Sequence, residues 1–312
     1  MIITLTPNPS LDRTFELGGA LARGRVQRTI SSHQEPGGKG INITRALSAV
    51  DGNSIALFPG DKTDPLVRML HQAGIRHGTV PLGEAIRNNI TITEPDGTTT
   101  KLNEPGPTLS AIQQRELVTL VLDTARGARW MVLAGSLPPG VPHDFYATII
   151  TKIRERYGAE APLIAVDSSG EPLARAVAAS PDLIKPNAEE LAELVSVKSD
   201  NLEADPETVT ALARNLVSRG VGAVLATLGS QGAILVTGDG SWHATTPPIV
   251  ARSTVGAGDS ALAGYLLSHV AGQAAPDRLR QAVAHGTAAA SLPGTTVPTI
   301  THPETVVVNH RD

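Results

Sequence analysis

Short apolar runs alternate with helical patterns along most of this chain, and that alternation restricts the fold more than any single motif. Residues 2–5, 54–58, 130–134, 163–166, 183–184 and 223–226 read as buried strands. Between them, 65–73, 110–125, 143–157, 172–178, 188–195 and 206–218 read as helices. Two helix starts carry a chemical signature: Ser110 with Gln113 forms a capping-box pattern, and Asp205 is a cap followed by first-turn Pro206. Such alternation implies an α/β fold with a mostly parallel sheet covered by helices on both faces.

Two stretches interrupt the pattern. Residues 14–17 followed by 26–31 suggest a strand pair, and 88–93 with 98–103 form a hairpin pattern across Pro95-Asp96-Gly97. In the hairpin, Ile90 and Ile92 share one face while Thr91 and Thr93 share the other, so one buried and one wet face is expected. A sheet this small is marginal alone. We expect it to form a lid, from segments at about 13–33 and 86–104, over the mouth of one domain spanning 1–312. A second copy of the chain is the expected partner, giving a homodimer through the lid. The tail from about Leu292 is rich in Pro and Thr and shows little readable chemistry.

Composition removes several function classes. Lys+Arg total 26 against 30 Asp+Glu, a net charge of -4, so nothing draws the chain generally to nucleic acid or anionic membrane. Any grip on phosphate must be local. Aromatic residues make up 3%, which leaves little to stack on bases. With no cysteine there are no disulfides, thiolate metal sites or cysteine nucleophiles. No basic leader opens the chain and no apolar run reaches the roughly 18 residues of a membrane span, so a soluble cytoplasmic protein is expected. The histidines lack metal-ligand spacing, and no nucleophile elbow is present.

Two glycine clusters each lead into a helical pattern. In Gly256-Ala257-Gly258-Asp259 the glycines let backbone approach an anion, and the first amides of the following helix have no intrahelical partner. Taken alone, Asp259 serves equally well as a helix cap. In Gly37-Gly38-Lys39-Gly40-Ile41-Asn42 a cation and an amide stand beside flexible backbone. This is not a Walker P-loop, because Gly40 follows Lys39, and neither cluster matches the dinucleotide fingerprint of a dehydrogenase.

With these two clusters stand Thr4-Leu5-Thr6-Pro7-Asn8-Pro9-Ser10-Leu11-Asp12, Lys101-Leu102-Asn103-Glu104-Pro105-Gly106-Pro107, Gly135-Ser136-Leu137-Pro138-Pro139-Gly140 and Lys185-Pro186-Asn187-Ala188-Glu189-Glu190. In this order the six runs resemble ribokinase-like sugar kinases, more narrowly the phosphofructokinase B branch and its 1-phosphofructokinases. The likeness extends from residue 1 to about Thr299. It implies a three-layer α/β/α fold with a small β-sheet lid, and an ATP- and Mg2+-dependent kinase acting on a sugar phosphate. Fructose 1-phosphate is the favoured substrate, with tagatose 6-phosphate and fructose 6-phosphate as alternatives. A catalytically idle sugar-phosphate sensor on the same fold is a further alternative, which the presence of Asp259 beside its glycines disfavours.

The resemblance also assigns roles. Asp259 becomes the general base, and the amides of Gly256, Ala257 and Gly258 become the anion hole. Asp12, Gly37, Gly38 and Asn42 face the sugar, with Ser136 lining the pocket. Lys39 and Arg87 are expected to hold the substrate's own phosphate, with Arg25, Lys101 and Asn103 as weaker lid candidates. Lysine within the glycine run is similar to the tagatose-6-phosphate and fructose-1-phosphate kinases; some fructose-6-phosphate enzymes of the branch have glycine there. Lys185, Asn187, Glu190, Thr227, Gly229 and Gly232 fall to the nucleotide, with Glu190 reaching magnesium through water and His285-Gly286 bordering the base. Asn187 and Glu190 also suit the first turn of a helix, a purely structural role.

Overall fold

The computed structural model describes residues 1–197 and 201–311. The chain begins β1 (Ile2–Leu5), β2 (Ser10–Leu17), β3 (Thr29–Gly37), α1 (Lys39–Ser48), β4 (Ser54–Pro59), α2 (Pro65–Gln72), β5 (His77–Val80), β6 (Arg87–Thr93) and β7 (Thr99–Asn103). It continues through α3 (Ala111–Thr124), β8 (Trp130–Ala134), α4 (Phe145–Tyr157), β9 (Leu163–Asp167), α5 (Gly170–Ala178), β10 (Leu183–Ile184), α6 (Ala188–Leu194), α7 (Pro206–Ser218) and β11 (Ala223–Thr227). It ends with β12 (Ala233–Thr237), β13 (Gly240–Thr245), α8 (Ala257–Val270), α9 (Ala275–Ala290) and β14 (Val307–Arg311).

Ten strands form one sheet in the order β14-β13-β12-β11-β10-β9-β8-β1-β4-β5. From β5 to β11 all neighbours are parallel, and from β11 to β14 they are antiparallel. The apolar runs are continuous because both faces are covered. Along β8, Met131 and Leu133 join a core with α2 to α7, whereas Trp130, Val132 and Ala134 join a second core with α1, α8 and α9. Both expected caps form: Ser110 and Gln113 bond reciprocally, and the Asp205 side chain accepts from Thr208 N. The resulting fold is the three-layer, ribokinase-like α/β arrangement.

The antiparallel edge β12 to β14 has no counterpart in the sequence-based expectation, which reads no strand after residue 226. Residues 307–311 pair with 241–245, more than 60 positions away, so no local pattern announces the partnership.

A separate four-stranded sheet has the order β3-β2-β6-β7. It is mixed, since β2 runs parallel to β6 and antiparallel to β3. The hairpin forms as expected, but β3 starts at Thr29 and extends to Gly37, drawing Glu35, Pro36 and Gly37 into the sheet. The expected burial of the Ile90 and Ile92 face also fails. Ile90, Thr91, Ile92 and Thr93 are all half-buried, because no layer of this chain closes over either face completely. Val26, Ile30 and Leu102 are 100%, 71% and 55% exposed.

Candidate active site

The parallel strands deliver a polar rim where they end. Thr6 and Asn8 follow β1, Ser136 follows β8, Asp167 closes β9, Lys185 follows β10 and Thr227 closes β11. Ligands of open α/β sheets collect outside such carboxyl ends, where strand order reverses. Here β1 stands between β8 and β4, and the small sheet rises directly from it through β2.

On the side of the small sheet, Asp12 Oδ1 accepts from Ser10 Oγ at 2.8 Å and Asn89 Nδ2 at 3.1 Å. Burial raises its carboxyl pKa, against those two bonds and the charges of Arg87 and Arg45. Gly37 is sterically required: a Cβ there would lie 2.2 Å from Asp12 Oδ2. Gly38, at φ 108, would bring one to 2.7 Å from the Thr6 methyl. Arg87 donates to Glu104 O at 3.0 Å and Asn8 O at 3.2 Å, leaving its Nε buried and unpartnered. Ser136 is exposed and accepts from Asn8 Nδ2 at 3.3 Å, and Asn103 lies exposed opposite Asn89. Thr6 Oγ1 and the Oδ1 atoms of Asn8, Asn42 and Asn89 are buried without a partner. Unsatisfied buried acceptors are costly, and a polyhydroxylated ligand supplies the donors that would relieve them.

Deeper in the cleft is a compact set of charges. Lys39 Nζ lies 2.6 Å from Asp167 Oδ1 and 3.7 Å from Glu190 Oε1, and Lys185 Nζ lies 3.3 Å from Asp167 Oδ2. Asp167 is wholly buried. Burial pushes its pKa up, but Lys185 and Lys39 outweigh that and hold the carboxyl below its usual range. For Lys39, burial favours the neutral amine, yet Asp167, Glu190 and Asp259 together raise its pKa. Lys39 was expected beside Arg87, away from the anion hole; its ammonium instead turns to this acidic set.

Asp259 stands in the first turn of α8, 7% exposed, and accepts from Asn42 Nδ2 at 2.9 Å. Its pKa is raised to about 6, by burial and then by the charge of Asp167, against the opposing pull of Lys39, the Asn42 bond and Lys185. A carboxyl poised there can accept a proton near neutral pH. It is no cap, since the N-cap of α8 is Gly256, in the left-handed region at φ 78, with no side-chain cap bond. Ser260 N donates to Gly256 O at 2.9 Å, so the amides before it precede the helical ladder. Of these, Ala257 N is turned toward Thr254 O at 3.4 Å. A Cβ on Gly258 would come 3.1 Å from Lys185 Nζ, so the glycine lets that ammonium reach the turn.

Asn187 and Glu190 form a reciprocal capping box at 2.7 and 2.9 Å, the structural role, while Glu190 Oε1 is the atom near Lys39. Thr227 bridges to Asn187, and Gly229 and Gly232 bound the turn after β11 at φ 52 and 84. A cavity of about 490 Å³ opens beside α9, lined by Thr246, Ile249, Ala284, Thr287, Ala288 and Ile300 among others. Gly286, next in the chain to the lining residue Thr287, packs on the glycine turn, where a Cβ would meet Ala257 O at 3.2 Å. His285 does not face the cavity; the ring packs on Gly264 of α8, and its buried Nδ1 has no partner.

Asp167 has no place in the sequence-based assignment, although one signal was available: an acid ending a buried apolar run, just before Ser168-Ser169-Gly170. Asn89, within the hairpin pattern, carries no local signal of its bond to Asp12.

A buried carboxylate at a glycine-led helix start, facing a rim of sugar-type acceptors across two lysines, defines a phosphotransferase acting on a sugar hydroxyl. The profile of the pfkB family carbohydrate kinases matches residues 8–302, and the chain belongs to that family. It is 34% identical over 300 residues to ATP-dependent 6-phosphofructokinase isozyme 2 of Mycobacterium tuberculosis, covering 94% of this chain and 85% of that one. With the 1-phosphofructokinase of Haloferax volcanii it shares 34% identity over 320 residues, covering 100% of both. The tetrameric inhibited form of phosphofructokinase-2 from Escherichia coli superposes with a TM-score of 0.85 at 32% identity, over 94% of this chain and 95% of that one. These relatives support a kinase acting on a sugar phosphate. Among the described residues, no helix is long and apolar enough to cross a membrane.

Proposed function

We propose that the protein transfers the γ-phosphoryl group of ATP to the free primary hydroxyl of fructose 1-phosphate, giving fructose 1,6-bisphosphate. The observation that carries phosphotransfer is Asp259, buried at the start of α8 with its pKa raised to about 6 and bonded to Asn42. The sugar oxygen forms a bond to the γ-phosphorus as the bond to the bridging β–γ oxygen breaks and ADP leaves with that electron pair. The hydroxyl proton passes to the Asp259 carboxylate and then to solvent. Developing negative charge on the transferring group meets the amides at Gly256 and Gly258 and the ammonium groups of Lys39 and Lys185.

Asp12, with Asn42 and Asn89, orients the hydroxyls, while the unpartnered Nε of Arg87 beside Asp12 offers a contact for the substrate's phosphate. The cavity beside α9 takes the base, close to the glycine turn. Glu190 and Asp167 supply the hard oxygen chemistry that magnesium favours; Asp167 Oδ2 is ion-paired with Lys185 at 3.3 Å but makes no hydrogen bond of good geometry. Magnesium, when bound, neutralises charge on the donor's phosphates.

Lys39 within the glycine run and the likeness to 1-phosphofructokinases favour fructose 1-phosphate. Phosphorylation of fructose 6-phosphate is the second reading, favoured by the equal identity to the mycobacterial isozyme. A coupled ADP-release assay with fructose 1-phosphate, fructose 6-phosphate, tagatose 6-phosphate and unphosphorylated fructose decides among them. The highest kcat/KM is expected for fructose 1-phosphate; preference for fructose itself would remove Arg87 from its role. An ATP-consuming kinase without cysteine suits the cytoplasm.

The small sheet acts as the lid and pairs with that of a second copy, as its exposed Ile30 and Leu102 support. Ile30→Asp with Leu102→Asp should convert a dimer to monomer in sedimentation velocity. A wild-type monomer, or an unshifted double variant, would count against pairing through the lid.

A further inference from the structure

One contact joins the sugar side of the cleft to the anion side without touching either ligand position. Glu35 in β3 is directly opposite Asp12 in the strand register, so the two side chains share a face of the small sheet. Its Oε2 accepts from Thr295 N at 3.1 Å and from Thr295 Oγ1 at 2.6 Å. Its Oε1 faces Arg45 Nη2 at 3.2 Å. Arg45 Nη1 in turn donates to Pro36 O at 3.0 Å and to Thr295 Oγ1 at 3.3 Å. Arg45 belongs to α1, the helix that also carries Lys39 and Asn42.

At the other end, Thr295 is 7% exposed, and its Cγ2 is the nearest atom that a Cβ on Gly256 would meet, at 3.9 Å. Thr295 therefore faces the first residue of the glycine turn across the space that a side chain at Gly256 would occupy. Gly294 lies at φ +59, and a Cβ there would come within 3.3 Å of Glu35 Oε2. The path from Asp12 through Glu35 and Thr295 to Gly256 is thus short, with hydrogen bonds to a charged carboxylate at its centre. Such bonds are roughly twice as strong as neutral ones and strongly directional.

We propose that Glu35, oriented by Arg45, and Thr295 form a clasp through which occupation of the sugar site sets the turn at Gly256, making sugar and nucleotide bind cooperatively. Both are positioning residues, and the proposal rests on the kinase reading above. No layer of this chain closes completely over the small sheet, whose strand β6 is half-buried along its whole length. When a sugar engages Asp12, β2 and β3 order together, and the clasp carries that order to residues 294–295 and so to the turn. Linkage requires the converse as well: nucleotide on the turn must tighten sugar binding by the same factor.

The test measures the Kd of the β,γ-imido analogue of ATP with Mg2+ by calorimetry, with and without saturating fructose 1-phosphate or fructose 6-phosphate. For the wild type, one of the phosphosugars should tighten the analogue by about five-fold or more. In Thr295→Val and Glu35→Gln that factor should fall below about two, while each ligand alone keeps its Kd within about two-fold; Thr295→Ser, which retains the hydroxyl, should restore cooperativity. Cooperativity that survives both variants, its absence in the wild type, or loss of binding by either ligand alone in the variants overturns the clasp and leaves the kinase reading intact. A wild type that binds neither phosphosugar nor nucleotide overturns the kinase reading, and the clasp with it.

Discussion

Replacing Asp259 by Asn should lower kcat by about 10²- to 10⁴-fold, the range expected for loss of a general base, while sugar affinity changes little. The same substitution should stabilise the fold at neutral pH. A carboxyl with a pKa of about 6 in the folded state, against 3.8 ordinarily, costs stability wherever it is ionised. Below about pH 4 the group is protonated in both folded and unfolded chains, so there is no cost. Between about pH 4 and 6 the unfolded chain releases its proton first, and above 6 the full cost is present, on the order of 2–3 kcal/mol. Asn cannot ionise, and its amide oxygen can still accept from Asn42. Urea unfolding should therefore show the variant more stable at pH 7.5, with the gap closing toward pH 4. The wild-type kcat/KM should fall as pH drops through about 6. Near-normal turnover in the variant would remove Asp259 from catalysis, and a pH-independent stability difference would refute its raised pKa.

Asp167→Ala, by contrast, should destabilise the fold. It leaves Lys185, whose side chain is 5% exposed, and the partly covered Lys39 without their shared counter-charge. Removing one partner of a buried ion pair typically costs about 3–5 kcal/mol. Asp167→Asn keeps the shape and makes a second measurement possible. The charge of Asp167 is the second largest cause of the raised pKa of Asp259, so its loss should shift the acid limb of kcat/KM below the wild-type value. A variant of normal stability would deny Asp167 its structural role. An unmoved limb would separate the two carboxylates electrically.

Local chemistry was the legible part of the candidate site. The glycines at 37, 38 and 256, the acids at 12 and 259 and the amide at 42 carry their reasons in their immediate neighbours, and the structure brings all of them to one rim. The direction of Lys39 is not legible locally, because a flexible four-carbon side chain turns to whichever charge lies within reach. That charge, Asp167, is 128 residues away. Asp167 itself was hidden in a strand pattern whose apolar residues dominate the reading, and Asn89 in a hairpin whose alternation gave it no special position.

The fold shows the same division. Strands buried on both faces and helices with caps announce themselves within a dozen residues, which is why the parallel strands other than β5, together with α3 and α7, are legible directly. The antiparallel edge depends on partners distant in the chain, and β14 is too exposed to look like a strand. From residue order alone came the alternating α/β layers, the helix caps and the glycine turns, since backbone torsion, burial period and capping are decided by near neighbours. Only the tertiary structure decided which charges face one another, where Asp259 acquires its proton affinity and how Glu35 meets Thr295, because Coulomb energy and desolvation depend on distance through space.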